Sequence, residues 1–368
     1  MIIGIPKEIK DNEYRVSITP AAAESLVFSG HTVLVQTGAG TSSGFLDNDY
    51  VMAGATICRS AEEVWNGAEM VMKVKEPQEA EYQYLREGLI YFAYLHLAPE
   101  YKLTRALIDN NVTAIAYETI QTDNGNLPCL TPMSEVAGRM SIQIGAKYLE
   151  RENGGRGILL SGVPGVARAE IVILGAGTVG ANAAKIALGM GAHVTIIDTN
   201  TEKMRYLDDI SHGCLTTLGS NRRHIADSVQ QADLVIGGVL IPGAKAPKVV
   251  TRDMVMSMKP GSVIVDVSID QGGCIETSKP TTHSNPIYKV NDVIHYCVTN
   301  IPGAVPRTST YALSNTTLPY ALKIANLGFD DAIKSDAALA KGVNTHAGNV
   351  TYKAVADAHN LDYVPIET

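Results

Sequence analysis

The sequence predicts an α/β fold of two domains, each built on a mostly parallel sheet, with one domain inserted into the other. Three observations carry this prediction. The chain has 368 residues, and at roughly 150 residues per domain a single core is too few. Short β-rich runs alternate with stretches of helical period through most of the length, which is the pattern of βα units. Beyond Pro306 the chain turns helical and adds no complete βαβ unit, so this last segment is expected to pack back on the first domain. Hydrophobic residues make up 45% and charged residues 18%, an ordinary globular composition that needs no disulfide or metal staple at this size.

Taken in order, strands are expected at residues 1–6, 31–36, 70–75, 89–95 and 112–117, with helices between them. Thr19 followed by Pro20 reads as an N-cap and first helical position, and Gly30 as the stop of that helix. Asn124-Gly125 signals a turn, after which Thr131-Pro132 repeats the same grammar and opens a long amphipathic helix over 133–150. An apolar strand at 171–174, a glycine turn, an alanine-rich helix at 181–188 and a second strand ending at Asp198 follow. Further strands are expected at 232–239, 261–268 and 293–300, and helices at 311–325, 331–340 and 350–359. Residues 1–128 and 307–368 would then form one discontinuous domain around an inserted domain at 129–306. Two crossings permit a hinge, and the cleft between the domains is the expected ligand site.

Charge and cysteine usage narrow the function classes. With 30 basic against 38 acidic side chains and a net charge of -8, the chain has the wrong sign for nucleic acid or an anionic membrane. Cys58, Cys129, Cys214, Cys274 and Cys297 form no C-x-x-C pair and leave one over, which suits a reducing compartment. The N-terminus lacks a signal-peptide pattern, and the longest apolar run, residues 89–98, is about half of a membrane span. A cytoplasmic protein is expected. No H-x-x-H or H-E-x-x-H spacing offers a metal site, so no metal ligand is assigned, and no serine-nucleophile motif occurs.

The glycine turn is the most specific motif. Gly175-Ala176-Gly177-Thr178-Val179-Gly180 fits G-x-G-x-x-G between an expected strand and an expected helix. The first glycine permits the tight turn, the second lets a pyrophosphate approach the backbone, and the third allows close helix–strand packing. Asp198 ends the next strand, where a carboxylate bonds a ribose 2′-hydroxyl and repels a 2′-phosphate, so NAD is expected rather than NADP. The inserted domain is therefore read as a Rossmann-type doubly wound sheet. Lys203 and Ser220 lie within reach of the adenosine side or are simply exposed polar residues.

Hydride chemistry also needs an anion holder and proton carriers. Arg15, in a polar loop after the first strand, offers a planar fork for a carboxylate, although a solvated charge is the bland alternative. Lys75 closes the run MVMKVK, where Lys73 and Lys75 share a face in the manner of an edge strand. His96 follows an apolar strand and is the best proton carrier of this half. Asp270 ends GSVIVDVSID before Gln271-Gly272-Gly273, either at a ligand-facing strand end or as a turn cap. His31, His193, His212 and His295 read as structural.

Read together, IGIPKEIKDNEYRVSITP, VKEP, YLHLA, TPMSEVAGR, SGVPGV, LGAGTVG, VDVSIDQGGC and NIPGAVPRTST resemble the alanine dehydrogenase family from one end of the chain to the other. The resemblance implies reversible, NAD-dependent oxidative deamination of L-alanine to pyruvate and ammonia by a two-domain subunit of a homohexamer. It implies that Arg15 and Lys75 hold the substrate and that His96 and Asp270 transfer protons. It places Ser134, Gly175, Gly177, Thr178, Val179, Gly180, Asp198, Lys203, Ser220, Val239, Leu240, Val267, Ser268, Ile269, Asp270, Val298, Thr299, Asn300 and Ile301 against NAD. Lys279 joins them where the family is expected to carry arginine. Rival readings are the nucleotide-binding subunit of a proton-translocating transhydrogenase, a non-catalytic NAD sensor and a saccharopine-type dehydrogenase.

Overall fold

The computed structural model describes residues 1–239 and 246–366. Its contacts divide the chain into two units, Met1–Met133 with the residues from Val305 onward, and Ser134–Ala304. Among the described residues there are fifteen strands: β1 (Ile2–Ile5), β2 (Thr32–Gln36), β3 (Thr56–Cys58), β4 (Met70–Met72), β5 (Ile90–Ala93), β6 (Thr113–Ala116), β7 (Glu170–Leu174), β8 (His193–Asp198), β9 (Thr216–Gly219), β10 (Leu234–Gly237), β11 (Val263–Asp266), β12 (Ile287–Val290), β13 (Val293–Tyr296), β14 (Val343–His346) and β15 (Asn349–Val350).

The first unit holds a sheet of order β15-β14-β6-β5-β4-β1-β2-β3. β1 to β6 pair in parallel, and β14 and β15 add an antiparallel edge beside β6. The second unit holds β12-β13-β11-β10-β7-β8-β9, parallel except for β12. Both sheets are doubly wound. The chain runs outward from β1 or β7 on one side, then returns to lay β4 or β10 on the other, which leaves a switch point where ligands of such sheets bind. The inner strands β4, β5, β6, β10, β11 and β13 are buried along their whole length. Sheets covered on both faces require this, and it explains their unbroken apolar runs.

Helix α1 (Pro20–Phe28) starts as the sequence predicts, with the Thr19 side chain accepting from the Ala22 amide, and Gly30 follows its end at φ 86°. Helix α2 (Thr131–Leu149) contains the division between the units. On its second-unit part, Gly138 packs on the chain at Val179, where a Cβ would lie 2.3 Å from the Val179 carbonyl oxygen. Helix α3 (Thr178–Gly189) opens from the glycine loop. Helix α4 (Pro306–Leu327) braces the Arg15 loop: Thr310 Oγ1 accepts from the Val16 amide at 3.2 Å and Ser314 Oγ from the Thr19 amide at 3.2 Å.

Several elements differ from expectation. The run at 70–75 is a strand only to Met72, because the Val74 and Lys75 amides turn to the Glu8 carboxylate at 2.6 and 3.3 Å. β4 is not an edge strand; it lies between β1 and β5, and Lys73 at its end is fully buried. The final segment is not purely helical. Residues 331–340 are two helices, Phe329–Ser335 and Ala337–Lys341, separated at Asp336, which caps the second, and the β14–β15 hairpin precedes Lys353–His359.

Candidate active site

At the switch point of the first sheet the loops after β1 and β4 carry the charge. Arg15 is 2% exposed, not solvated, and its guanidinium is forked onto Glu13 with Nε–Oε1 2.6 Å and Nη2–Oε2 2.5 Å. Its third nitrogen, Nη1, lies 3.2 Å from Met133 Sδ. Burial works against this charge and the Glu13 carboxylate overrides it, so the Arg15 pKa sits above its ordinary value. Lys73 donates to both oxygens of Glu81 at 2.6 and 2.8 Å and stands 3.4 Å from Glu8 Oε2. Burial opposes the Lys73 charge as well, and Glu8 and Glu81 together raise its pKa. Lys75 is half-buried two residues on, at the turn that Glu8 ties down.

The neighbouring strand β5 delivers Tyr94 and His96. His96 occupies the left-handed region at φ 49°, a conformation that costs a side-chain-bearing residue about 1–3 kcal/mol and collects at functional positions. The Glu118 carboxylate, just beyond β6, holds the turn by accepting from the His96 amide at 2.7 Å, with its Oε1 3.8 Å from His96 Nδ1. The imidazole stacks on the Tyr94 ring at 6.2 Å between centroids and remains 47% exposed. Tyr94 itself is buried, donates to the Cys129 carbonyl at 2.5 Å, and is held neutral by that burial despite the attraction of nearby Arg15. Arg15, Lys75 and His96 thus gather at the carboxyl ends of adjacent strands.

The second sheet presents a different surface. Gly175 has φ 98°, and a Cβ there would lie 2.6 Å from the Gly238 carbonyl oxygen. At Gly180 a Cβ would meet the Gly175 carbonyl oxygen at 1.8 Å, whereas at Gly177 it would meet nothing within 4 Å. Two glycines therefore answer to the protein's own packing, and the middle one opens space at the N-terminus of α3, where amides and helix dipole favour a phosphate. Asp198 accepts from the Ala176 amide at 2.5 Å and the Asn200 amide at 2.7 Å, which sets its carboxylate beside the glycine loop.

Thr178 and Val179 begin α3, Ser220 follows β9, Val239 follows β10, and Val267, Ser268, Ile269 and Asp270 form a 3-10 turn after β11. Val298, Thr299, Asn300 and Ile301 follow β13, with Asn300 at φ 69°. All of these lie beyond carboxyl ends of the second sheet. Ser134 is half-buried on α2, while Lys203 and Lys279 are exposed on peripheral segments. Leu240 lies outside the described residues.

The turn cap that the sequence offered for Asp270 is supplied by Asp266. That residue is fully buried and accepts from the Ser268 amide at 3.1 Å, the Cys274 amide at 3.1 Å, the Ile275 amide at 3.3 Å and Ser278 Oγ at 2.6 Å. Asp270 is left exposed on the turn that Asp266 shapes. Of the histidines read as structural, His295 is buried between the Thr277 hydroxyl and the Val293 carbonyl, but His193 and His212 are exposed.

Two family models cover nearly the whole chain: "Alanine dehydrogenase/PNT, N-terminal domain" matches residues 4–137, and "Alanine dehydrogenase/PNT, C-terminal domain" matches residues 141–353. The chain belongs to the alanine dehydrogenase/PNT family. Within it, an alanine dehydrogenase of Methanococcus maripaludis is 61% identical over 100% of this chain and 99% of its own. A solved L-alanine dehydrogenase is 51% identical, with a TM-score of 0.95 over 98% of this chain and 99% of that one. A transhydrogenase from Sinorhizobium meliloti shares the fold at 24% identity, with a TM-score of 0.82 over 96% of this chain and 100% of that one.

Sequence reasoning passed over five residues that shape these candidate sites, Glu8, Glu13, Tyr94, Glu118 and Asp266, and took Lys73 only for an edge-strand lysine. All are second partners, and what marks them is a contact made by folding. For Asp266 alone there was a local signal, an acidic residue closing an apolar strand ahead of a glycine pair.

Proposed function

We propose that the protein catalyses reversible oxidative deamination of L-alanine to pyruvate and ammonia, with NAD as the hydride carrier. The observation that carries this reading is the gathering of buried Arg15 with Lys75 and His96 at the carboxyl ends of β1, β4 and β5 in a chain of this family. A planar cation, an ammonium and an imidazole are what a small 2-oxo or 2-amino acid asks for.

The second unit suits a dinucleotide. The amides of the glycine loop and the open space at Gly177 would take its pyrophosphate, and Asp198 would take the ribose hydroxyls and disfavour a 2′-phosphate. Bound NAD supplies the acceptor for the hydride lost from the substrate Cα. The chain's own residues do the rest. Arg15, held rigid by Glu13, binds and orients the substrate carboxylate. Lys75 polarises the oxygen that develops on the reacting carbon. His96 and Asp270 accept and return protons as water adds and ammonia departs. Assembly as a homohexamer and a cytoplasmic setting belong to the same reading. Among the described residues no helix is long and apolar enough to cross a membrane.

The test is NADH formation by purified protein supplied with L-alanine and NAD, repeated with NADP and with L-serine. Turnover that requires alanine and prefers NAD is expected. NADH binding without turnover would overturn the reading in favour of a nucleotide-binding module.

A further inference from the structure

Among the described residues of the first unit, five charged side chains are buried, and all five belong to one cluster: Glu8, Glu13, Arg15, Lys73 and Glu81. Three are acids and two are bases. With every group ionised the cluster holds one net negative charge away from water, an expensive arrangement, which the half-buried Lys75 ammonium at its rim offsets. A substrate carboxylate arriving at Arg15 and Lys75 restores that excess of one negative charge.

The three acids are not equally placed to keep their charge. Both oxygens of Glu13 accept from Arg15, at 2.6 and 2.5 Å. Both oxygens of Glu81 accept from Lys73, at 2.8 and 2.6 Å, and Oε2 also accepts from the Gln78 amide at 2.8 Å. Glu8 is held at one oxygen only. Its Oε1 accepts from the Val74 and Lys75 amides, while its Oε2 is buried without a hydrogen bond, 3.4 Å from a lysine already committed to Glu81. That oxygen has room in its bonding for a proton.

We infer that Glu8 is a positioning residue that makes substrate binding proton-linked: as the substrate carboxylate docks, Glu8 Oε2 takes up one proton from solvent and the buried cluster returns to balance. The inference rests on the alanine dehydrogenase reading above and gives the substrate site a proton linkage seated outside the groups that touch the substrate. Through Oε1 the neutral carboxyl still fastens the turn that presents Lys75, so the proton changes charge without releasing the scaffold.

Ionisable groups face Glu8 from several elements. Lys10, Glu13 and Arg15 lie on the same loop as Glu8; Lys73, Lys75 and Glu76 follow β4; Glu81 comes from the 3-10 turn Glu79–Tyr84; Tyr91 comes from β5 and Tyr117 from the end of β6. Lys10 is paired with Glu76 at 2.5 Å, and both tyrosines are kept neutral by burial. In accord with the geometry, burial raises the Glu8 pKa to about 7 against the pull of Lys73.

The test uses calorimetric titration of the enzyme–NADH complex with oxamate, an unreactive isostere of pyruvate, in buffers of different ionisation enthalpy. Wild type is expected to take up a proton on binding oxamate near pH 8, and its oxamate affinity is expected to weaken from pH 7 to 9 by up to about tenfold per pH unit. Glu8→Gln is expected to lose the greater part of that uptake and of the pH dependence; any contribution of His96 is common to both proteins and cancels in their difference. Equal proton uptake by the two proteins overturns the proposal. If Glu8→Gln fails to fold, His96→Gln decides the matter: uptake that survives there supports Glu8, and uptake that vanishes assigns the proton to His96 and overturns the proposal. Alanine turnover with proton-neutral oxamate binding sinks the proposal alone, whereas absence of both turnover and oxamate binding sinks the reading beneath it.

Discussion

The two sheets share a winding order and differ in what they place at its switch point. In the first, β3-β2-β1-β4-β5-β6 ends in a buried network of Glu8, Glu13, Arg15, Lys73 and Glu81. In the second, β9-β8-β7-β10-β11-β13 ends in glycines, with Gly175 against Gly238 and Gly180 against Gly175. One topology therefore presents two kinds of surface. Fixed side-chain charges suit a small anion whose geometry must be set tightly. Bare backbone amides at a helix N-terminus suit a diphosphate that approaches the main chain. The difference lies in the loops, and the sheets are scaffold.

Substitutions that exchange these characters should separate the two ends. The largest effect is expected for Lys73→Met, which strands Glu81 and Glu8 in the interior; a loss of about 3–5 kcal/mol in unfolding free energy is expected by denaturant titration. Lys75→Met, at a half-buried position, is expected to abolish most turnover while moving stability by under about 1 kcal/mol. Stability losses of similar size for the two lysines would break the distinction drawn between them.

At the glycine end, Gly180→Ala drives a methyl into the Gly175 carbonyl and is expected to lower stability by about 1–3 kcal/mol. Gly177→Ala meets no protein atom, so melting should be unchanged while NADH affinity, followed by fluorescence titration, falls about 10–100-fold. A Gly177→Ala protein that binds NADH normally would show that the loop does not carry the pyrophosphate.

The last expected effect is a pH linkage confined to the first unit. Glu8 titrates at about 7 in the fold, because burial raises it from 4.5. The folded chain thus binds this proton more tightly than the unfolded chain. Its stabilising contribution is complete below pH 4.5 and is lost as pH rises through about 7. Between pH 5 and pH 8 wild type should lose on the order of 1–3 kcal/mol more than Glu8→Gln, measured by urea unfolding at both pH values.

The same contrast explains what the sequence disclosed. The glycine half was legible because backbone constraints select residue types: Gly175 and Gly180 meet packing requirements that only glycine satisfies, and Gly177 stands at fixed spacing between them, next to a strand. The charged half was legible in its end groups, Arg15, Lys75 and His96, and silent about what holds them. Lys73 read as edge protection because alternation places it beside Lys75, yet its partner Glu8 comes from the loop after β1, on a strand that pairs with β4 only in the fold. Glu118 reaches the His96 amide from the end of β6 in the same way. Short elements were lost for a related reason. β3 has three residues and β15 two, too few for a period to register, and both are strands because a longer neighbour offers them a ladder.

The central claim, that the charged end of the first sheet binds substrate while the glycine end of the second binds dinucleotide, is tested most directly with Arg15→Lys. This variant keeps the positive charge opposite Glu13 but loses the planar fork. NADH affinity and alanine turnover should be measured on the same preparation. The account predicts an NADH Kd within about twofold of wild type and a fall of about 10²–10³-fold in kcat/KM for alanine. Loss of NADH binding in step with turnover, or turnover left intact, would contradict it.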